Sequence, residues 1–238
     1  MGRNRTGAFI MTGMGMAMFL AGCQANPGKP QEVDSPPPVV SVSPGGPDTA
    51  SPSGGRASSE PAPATATAAL SAAEQAQLDQ DLIKAAKANN APLVAQLISR
   101  GGNVNAKDSI QDSAFLYAGA EGFNEVLQLT LAAGADVAAT NRYGGTALIP
   151  ASEHGHVETA RMLIAAGVPV NHVNNLGWTA MQEAVLLNNG GPRQQEVVRL
   201  LLEAGADPAI RDPEGRTALQ NAERLGFKEL AAVIRGAA

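Results

Sequence analysis

Four glycines divide the second half of the chain into segments of nearly equal length. Gly101, Gly134 and Gly167 are separated by 33 residues, and Gly205 follows after 38. The same intervals separate a set of hydroxyl-bearing residues and a set of alanines: Ser113, Thr146, Thr179 and Thr217, and Ala118, Ala151, Ala184 and Ala222. A fixed period in this range is typical of stacked structural units. The chain is therefore predicted to form a repeat array.

One complete unit runs from Tyr143 to Asn174 and reads YGGTALIPASEHGHVETARMLIAAGVPVNHVN. A Gly-Gly turn leads to Thr146, whose hydroxyl can accept a free amide at the start of a first short helix. A turn at Gly155 separates this helix from a second one. Gly167 closes the unit, because glycine readily adopts the left-handed conformation that ends a helix. Pro150 lacks a backbone donor and is expected to distort the first helix slightly.

These residues resemble the ankyrin repeat, with the frame G-x-T-P-L-H-x-A-A-x-x-G-H, then V-x-x-L-L and G-A-x-x-N. The frame survives here as GGTALIPASEHGH, ARMLI and GVPVN, and similar blocks are QDSAFLYAGAEGF, GWTAMQEAV and GRTALQNAERLGF. The resemblance covers residues 81–235. It implies an all-α repeat solenoid of about five ankyrin-like helix-turn-helix units joined by short hairpin loops. The His of the frame is replaced by Leu116, Ile149, Gln182 or Gln220, which implies looser ties between neighbouring repeats.

The first unit is expected to begin at Ser71, which forms a capping box with Glu74. Later units begin at Asp108, Asn141, Asn174 and Asp212, and the last of them is interpreted as a C-terminal cap. Six leucines and isoleucines are predicted to supply the larger core side chains: Leu127, Leu131, Leu163, Ile164, Leu200 and Leu201.

The fourth unit carries an insertion, LLNNGGPRQQ, which accounts for the interval of 38. Its Asn-Asn-Gly-Gly-Pro sequence is a strong turn signal. Two interpretations stay open at this point: a tolerated loop, or an added contact on the edge of the array.

The N-terminus has the pattern of a targeting segment. Arg3 and Arg5 precede the apolar run AFIMTGMGMAMFL, which is too short to span a bilayer comfortably. The run ends in Leu-Ala-Gly-Cys, which resembles the lipobox of bacterial lipoproteins. The resemblance implies a signal peptide over residues 1–22, lipidation of Cys23 and, from Gln24, anchoring in the outer membrane facing the periplasm. The alternative is an ordinary secretion signal with a coincidental cysteine.

Residues 23–70 are rich in Pro, Ser, Gly, Ala and Thr and contain almost no large apolar side chains. Such a segment cannot bury enough apolar surface to offset the entropy lost on ordering. We therefore predict a disordered tether between the lipidated cysteine and a repeat domain at 71–238.

Composition and motifs exclude several function classes. The net charge is -5 with no block of Lys and Arg, which argues against nucleic acid as a partner. The motifs of nucleotide binding, serine hydrolysis and zinc proteolysis are absent from the sequence, so an enzyme is not expected. His154 and His156, if they lie on one helix, do not share a face, and no metal site is predicted. Neither a cofactor nor a small-molecule substrate is expected.

In ankyrin proteins the hairpin tips and first helices line a concave face that binds other proteins. Transferring these positions gives the predicted contacts Ile110, Asp112, Arg142, Tyr143, Glu153, His154, Leu176, Trp178, Leu187, Glu214, Arg216 and Arg224. Trp178 is expected to face outward and to lie with Tyr143 on one side of the array. The preferred function is a lipid-anchored module of the cell envelope that recruits, chaperones or inhibits another protein, the last in an immunity-like role. The alternative is a structural spacer or assembly element without one tight partner.

Overall fold

The computed structural model of the chain describes residues 70–236, which form ten α-helices in five consecutive pairs. Each pair is one repeat, and residues 70–236 contain no β-strand longer than one isolated bridge. The predicted all-α repeat solenoid is confirmed. The predicted signal peptide, Cys23 and the tether lie outside the described residues. The helices are α1 Ala72–Lys87, α2 Ala91–Ser99, α3 Ala114–Glu121, α4 Asn124–Ala132, α5 Leu148–Glu153, α6 Val157–Ala165, α7 Ala180–Leu186, α8 Pro192–Glu203, α9 Ala218–Leu225 and α10 Lys228–Arg235.

Hydroxyl caps begin four of the five first helices, as the capping box at Ser71 and the periodic Ser and Thr positions predict. The side chain of Ser71 accepts from the Glu74 amide, and Glu74 returns the bond in a complete capping box. Three later helices have the equivalent cap at the same place in the period: Ser113, Thr179 and Thr217. Each cap satisfies an amide that the helix itself leaves without a partner.

Thr146 is the exception to this pattern. The helix of its repeat begins at Leu148, and the Thr146 hydroxyl is buried without a hydrogen-bond partner. Pro150 explains the difference, because it has no N–H to donate to the Thr146 carbonyl four residues earlier. That carbonyl instead accepts from the Ile149 amide at 3.1 Å, the same amide that would otherwise reach the Thr146 hydroxyl. The predicted distortion at Pro150 therefore includes loss of the cap.

The periodic glycines follow the second helix of each of the first four repeats. Gly101, Gly134, Gly167 and Gly205 all have φ between 84° and 93°, the left-handed region in which a β-carbon is strained. Their regular spacing reflects the need for this conformation wherever a second helix turns into the next hairpin loop.

Small residues allow neighbouring repeats to approach closely. The four periodic alanines of the first helices are fully buried. Gly119 lies so near the next repeat that a β-carbon there would sit 2.8 Å from the Ala147 β-carbon. Larger side chains fill the space between first and second helices. Four of the six predicted core residues are buried, namely Leu127, Leu163, Leu200 and Leu201, whereas Leu131 and Ile164 are only partly buried.

The expectation of looser ties between repeats is wrong at the fourth repeat, where Gln182 replaces the histidine of the ankyrin frame. Its amide nitrogen donates to the Ile210 carbonyl of the following loop at 3.1 Å, and its amide oxygen accepts from the Thr179 amide. One buried side chain therefore caps its own helix and binds the next repeat.

The insertion of the fourth repeat is an added contact rather than a free loop. Asn188 donates to the Glu153 carbonyl of the preceding repeat, and Gln194 donates to the Asn188 side chain at 3.1 Å. Gly190, with φ 66°, lies against the Phe227 ring of the following repeat. The insertion therefore contacts the repeats on both sides of its own.

Candidate partner-binding groove

The hairpin loops hold apolar side chains at their tips. In three successive loops one side-chain oxygen, from Asp108, Asn141 or Asn174, accepts two amides of the turn at 2.9–3.1 Å. These bonds fix the turn locally. The residues presented at the tips are Ile110, Tyr143 and Leu176, with 47%, 52% and 51% of their surfaces exposed.

A groove with a volume of about 360 Å³ lies between two of these tips and the first helices of repeats two to four. Its exposed rim is formed by Tyr143, Leu176 and Leu187. Buried side chains of the first helices, including Leu116 and Ile149, form its apolar floor. The remaining lining residues are Asp112, Tyr117, Ala120, Glu121, Asn141, Arg142, Gly145, Pro150, Glu153, His154, Asn174 and Glu183.

Seven of the twelve predicted contact residues line this groove: Asp112, Arg142, Tyr143, Glu153, His154, Leu176 and Leu187. The structure thus brings together side chains from three repeats that are up to 75 positions apart in the sequence. Whether they contact a partner stays a prediction. Ile110 lies at the neighbouring hairpin tip, outside the lining of the groove.

One end of the groove is charged but internally balanced. Asp112, only 8% exposed, lies 3.5 Å from the Lys87 ammonium and 3.6 Å from the Arg142 guanidinium. Lys87 also binds Asp108 at 2.6 Å, and Arg142 covers the Tyr143 ring at 4.7 Å. Asp112 therefore holds the cation that lies over the Tyr143 ring, and its own charge is already neutralised.

Glu183 is a groove residue that sequence reasoning missed. It lies in α7, is 6% exposed, and accepts a 2.7 Å hydrogen bond from the Asn174 amide. Burial, and next the charge of Glu153, raise the pKa of Glu183 to about 7. The Asn174 bond and His154 oppose this rise. Near neutral pH the groove therefore contains a buried carboxyl group poised between its two protonation states.

The expectation that Trp178 faces outward needs correction. Its side chain is partly buried, and its indole nitrogen is enclosed without a hydrogen-bond partner. The reason lies in the period, since Trp178 occupies the place of Gly145, two residues beyond the hairpin tip and next to the helix cap. Leu176 occupies the tip instead, and Trp178 is absent from the groove lining. Trp178 is therefore a packing residue as well as a surface residue.

Three further predicted contacts lie together in the fifth repeat, away from the groove. Arg216 is 3.3 Å from Glu214 and 3.6 Å from the buried Asp212, and it donates to Asn221. Arg224 also donates to Asn221, at 3.3 Å. These bonds hold the last hairpin loop against α9, so the three residues form a cluster of their own.

The histidines have structural partners. His154 and His156 flank the predicted turn at Gly155, one after α5 and one before α6, with ring centroids 5.5 Å apart. The Nδ1 of His154 donates to the Ala120 carbonyl, and the Nε2 of His172 donates to the Gly144 carbonyl. Over residues 70–236 there is no group of three or more His, Cys, Asp and Glu side chains that could hold a metal ion.

Each of the ten described helices falls short of the length and apolar character that crossing a membrane requires.

Comparison with known sequences and structures agrees with the repeat geometry. A family model described as ankyrin repeats in three copies matches residues 82–173 and 115–212. The ankyrin repeat protein YahD of Escherichia coli (strain K12) is 48% identical over 52 residues, which are 22% of this chain and 26% of YahD. The chain thus matches about a quarter of the length of that curated relative.

Solved structures resemble the domain over a longer span. An ankyrin repeat domain from Acinetobacter baumannii AYE is 56% identical, with a TM-score of 0.65, over 66% of this chain and 80% of the other. The ankyrin repeat protein EF0377 is 40% identical, with a TM-score of 0.63, over 65% of this chain and 78% of the other. Ankyrin repeats are generally protein-interaction modules and are typically without enzymatic activity. This chain belongs to the ankyrin repeat family.

Proposed function

We propose that the protein is a lipid-anchored binding module of the bacterial cell envelope that holds another protein in the groove of repeats two to four. The observation that carries the proposal is the exposed apolar rim of Tyr143, Leu176 and Leu187 above a shaped floor. A partner that covers large exposed apolar side chains removes their surface from water, which favours binding. Binding would recruit, chaperone or inhibit the partner.

The groove predicts a specific loss of binding. In a pull-down from envelope extract with the full chain as bait, we expect a stoichiometric partner whose affinity falls more than tenfold in the double variant Tyr143→Ala/Leu176→Ala. A large side chain in a water-excluding contact contributes about 2 kcal/mol or more to binding. Titration of the recovered partner with each purified chain measures the change.

A matched control is Leu93→Ala, which removes another exposed leucine, in α2 and outside the groove. We expect it to leave the affinity unchanged, and neither variant should alter the stability by more than about 0.5 kcal/mol per site. Equal losses of affinity in both variants would show that the partner binds outside the groove. Failure to recover any stoichiometric partner would favour the alternative, a structural spacer of the envelope.

The anchor and the location rest on the sequence. The apolar run ending at Cys23 supports lipidation, and the residue after it supports sorting to the outer membrane facing the periplasm. Two or more acyl chains would anchor the protein far more firmly than one. A tether over residues 24–70 would let the domain search the space near the membrane, with a root-mean-square reach of roughly 40 Å.

Replacing Cys23 by serine is expected to abolish labelling by a radioactive or clickable fatty acid. The variant should also leave the membrane fraction or accumulate as an uncleaved precursor, because the thiol that accepts the lipid is missing. Cys23 is the only cysteine in the sequence, so residual thioester or thioether labelling would have no alternative site. Labelling that persists in the variant would disprove the anchor.

A further inference from the structure

Three carboxylates of the groove lack a cationic partner. Glu121, Glu153 and Glu183 all line it, and none of them takes part in a salt bridge within residues 70–236. The fourth carboxylate of the groove, Asp112, differs because Lys87 and Arg142 already neutralise it. The uncompensated charge is therefore contributed by the last residues of α3 and α5 and by the middle of α7.

Glu183 is the innermost of the three. It is 94% buried, and the hydrogen bond that it accepts comes from Asn174, a neutral group that cannot compensate its charge. Burial, and next the charge of Glu153, together raise the pKa of Glu183 to about 7. A buried carboxylate is stabilised strongly by a cation that reaches it. Among residues 70–236, His154 acts weakly on Glu183 from a distance, and no Lys, Arg or His forms a salt bridge with it.

The apolar rim of the groove suits the aliphatic part of a Lys or Arg side chain. Tyr143, Leu176 and Leu187 expose apolar surface in the same groove. Lys and Arg lay their aliphatic stems along apolar surface and place the charge at the far end. The groove volume of about 360 Å³ is at the lower end of ligand pockets, which fits one long side chain with part of its backbone.

We propose that the groove receives a Lys or Arg side chain from an exposed, extended segment of the partner protein. The stem lies between Tyr143 and Leu176, and the charged end binds Glu183 and Glu153. The inference rests on the proposed function, since it names the chemistry of the protein that the groove binds. There are two competing outcomes. The partner could insert an apolar side chain, or it could insert an acidic side chain that binds the protonated form of Glu183.

The first test selects ligands without knowledge of the natural partner. A random linear peptide library displayed on phage is panned on the full chain and, for subtraction, on the Tyr143→Ala/Leu176→Ala chain. We expect the peptides retained only by the unmodified chain to be enriched in sequences with a Lys or Arg next to an apolar residue. Groove-dependent peptides without a basic residue would overturn the inference while leaving the groove as a protein-binding site. If no peptide depends on the groove, the proposed function of the groove fails as well.

The second test asks whether the basic side chain of the peptide binds Glu183. A selected peptide and its Lys→Met or Arg→Met form are titrated against the unmodified chain and against Glu183→Gln. Each single change should weaken binding at least tenfold, and the two together should weaken it little further, because they remove the same interaction. Glu125→Gln, at an exposed position of α4 outside the groove, is the matched control and should bind as the unmodified chain does.

Two results distinguish a charge contact from a structural effect. Glutamine keeps the oxygen that accepts from Asn174, so Glu183→Gln should retain the circular dichroism spectrum of the unmodified chain. The Met-substituted peptide tests the same contact with no change in the protein. Independent, additive losses in the two single changes, or unchanged affinity in Glu183→Gln, would show that the basic side chain binds elsewhere and would overturn the inference.

Discussion

Replacing Leu163 by alanine is expected to lower the free energy of unfolding by about 3 kcal/mol. Leu163 lies in α6 of the middle repeat and is completely buried in the continuous core. The change removes buried methylene and methyl groups and leaves a cavity that neighbouring helices fill only in part. Because α6 packs on both α4 and α8, the cavity weakens the contacts of its repeat on both sides. Urea denaturation followed by far-ultraviolet circular dichroism measures the loss.

Leu176→Ala provides the same chemical change at an exposed position. Leu176 is the hairpin tip of the next repeat, and half of its surface already contacts water in the free protein. We expect its replacement to cost about 0.5 kcal/mol or less. Similar losses in the two variants would contradict the assignment of Leu163 to the core and Leu176 to the rim.

Features that recur with the period could be predicted from the sequence. A glycine after each second helix, a hydroxyl cap before each first helix and a buried alanine within it each serve a local need that every repeat shares. Thr146 shows where this reasoning ends. Its position in the period predicts that its hydroxyl caps a helix. Pro150, four residues later, has no amide hydrogen to donate to the Thr146 carbonyl, and the Ile149 amide donates to that carbonyl instead. One substitution therefore changes the role of a residue that the period treats as equivalent.

The groove depends on features that do not recur. Glu183 occupies the position that Tyr117, Pro150 and Asn221 hold in other repeats. The residue type at this position therefore differs from repeat to repeat, and the repeat pattern does not mark it as functional. Its importance arises only when α7 packs beside α5 and brings it near Glu153.

The outward position expected for Trp178 is only partly right, for a related reason, because its side chain is half-buried. Aligning whole repeats locates a loop, but a shift of two residues decides whether a side chain stands at the tip or beside the helix cap. Leu176 and Trp178 are separated by that shift, and only Leu176 lines the groove.

The pH dependence of stability should identify Glu183 as the buried acid. In the folded domain the pKa of Glu183 is about 7, above the ordinary value of 4.5 that applies to the unfolded chain. Between these two values the folded state binds more protons than the unfolded state, so stability falls as pH rises from 4.5 through 7. The stabilising protonation is fully present below pH 4.5 and is lost above pH 7. A difference of this size corresponds to roughly 3 kcal/mol.

Glu183→Gln should remove this dependence, because glutamine stays neutral and still accepts the hydrogen bond from Asn174. We expect the variant and the unmodified chain to have equal stability near pH 4.5. The variant should be more stable by roughly 3 kcal/mol at pH 8. The difference between the two chains is the quantity to measure, since other carboxylates, such as Asp212 with its lowered pKa, also change stability in acid.

Replacing a neighbouring ionisable group that shifts the pKa of Glu183 provides a more specific test. The charge of Glu153 raises its pKa, whereas His154 lowers it. Glu153→Gln should therefore move the loss of stability to lower pH without abolishing it, and Glu125→Gln, at an exposed site of α4, should leave the curve unchanged. Chemical denaturation at several pH values between 4.5 and 8 provides the curves. Parallel curves for Glu183→Gln and the unmodified chain would show that folding does not raise the pKa of Glu183.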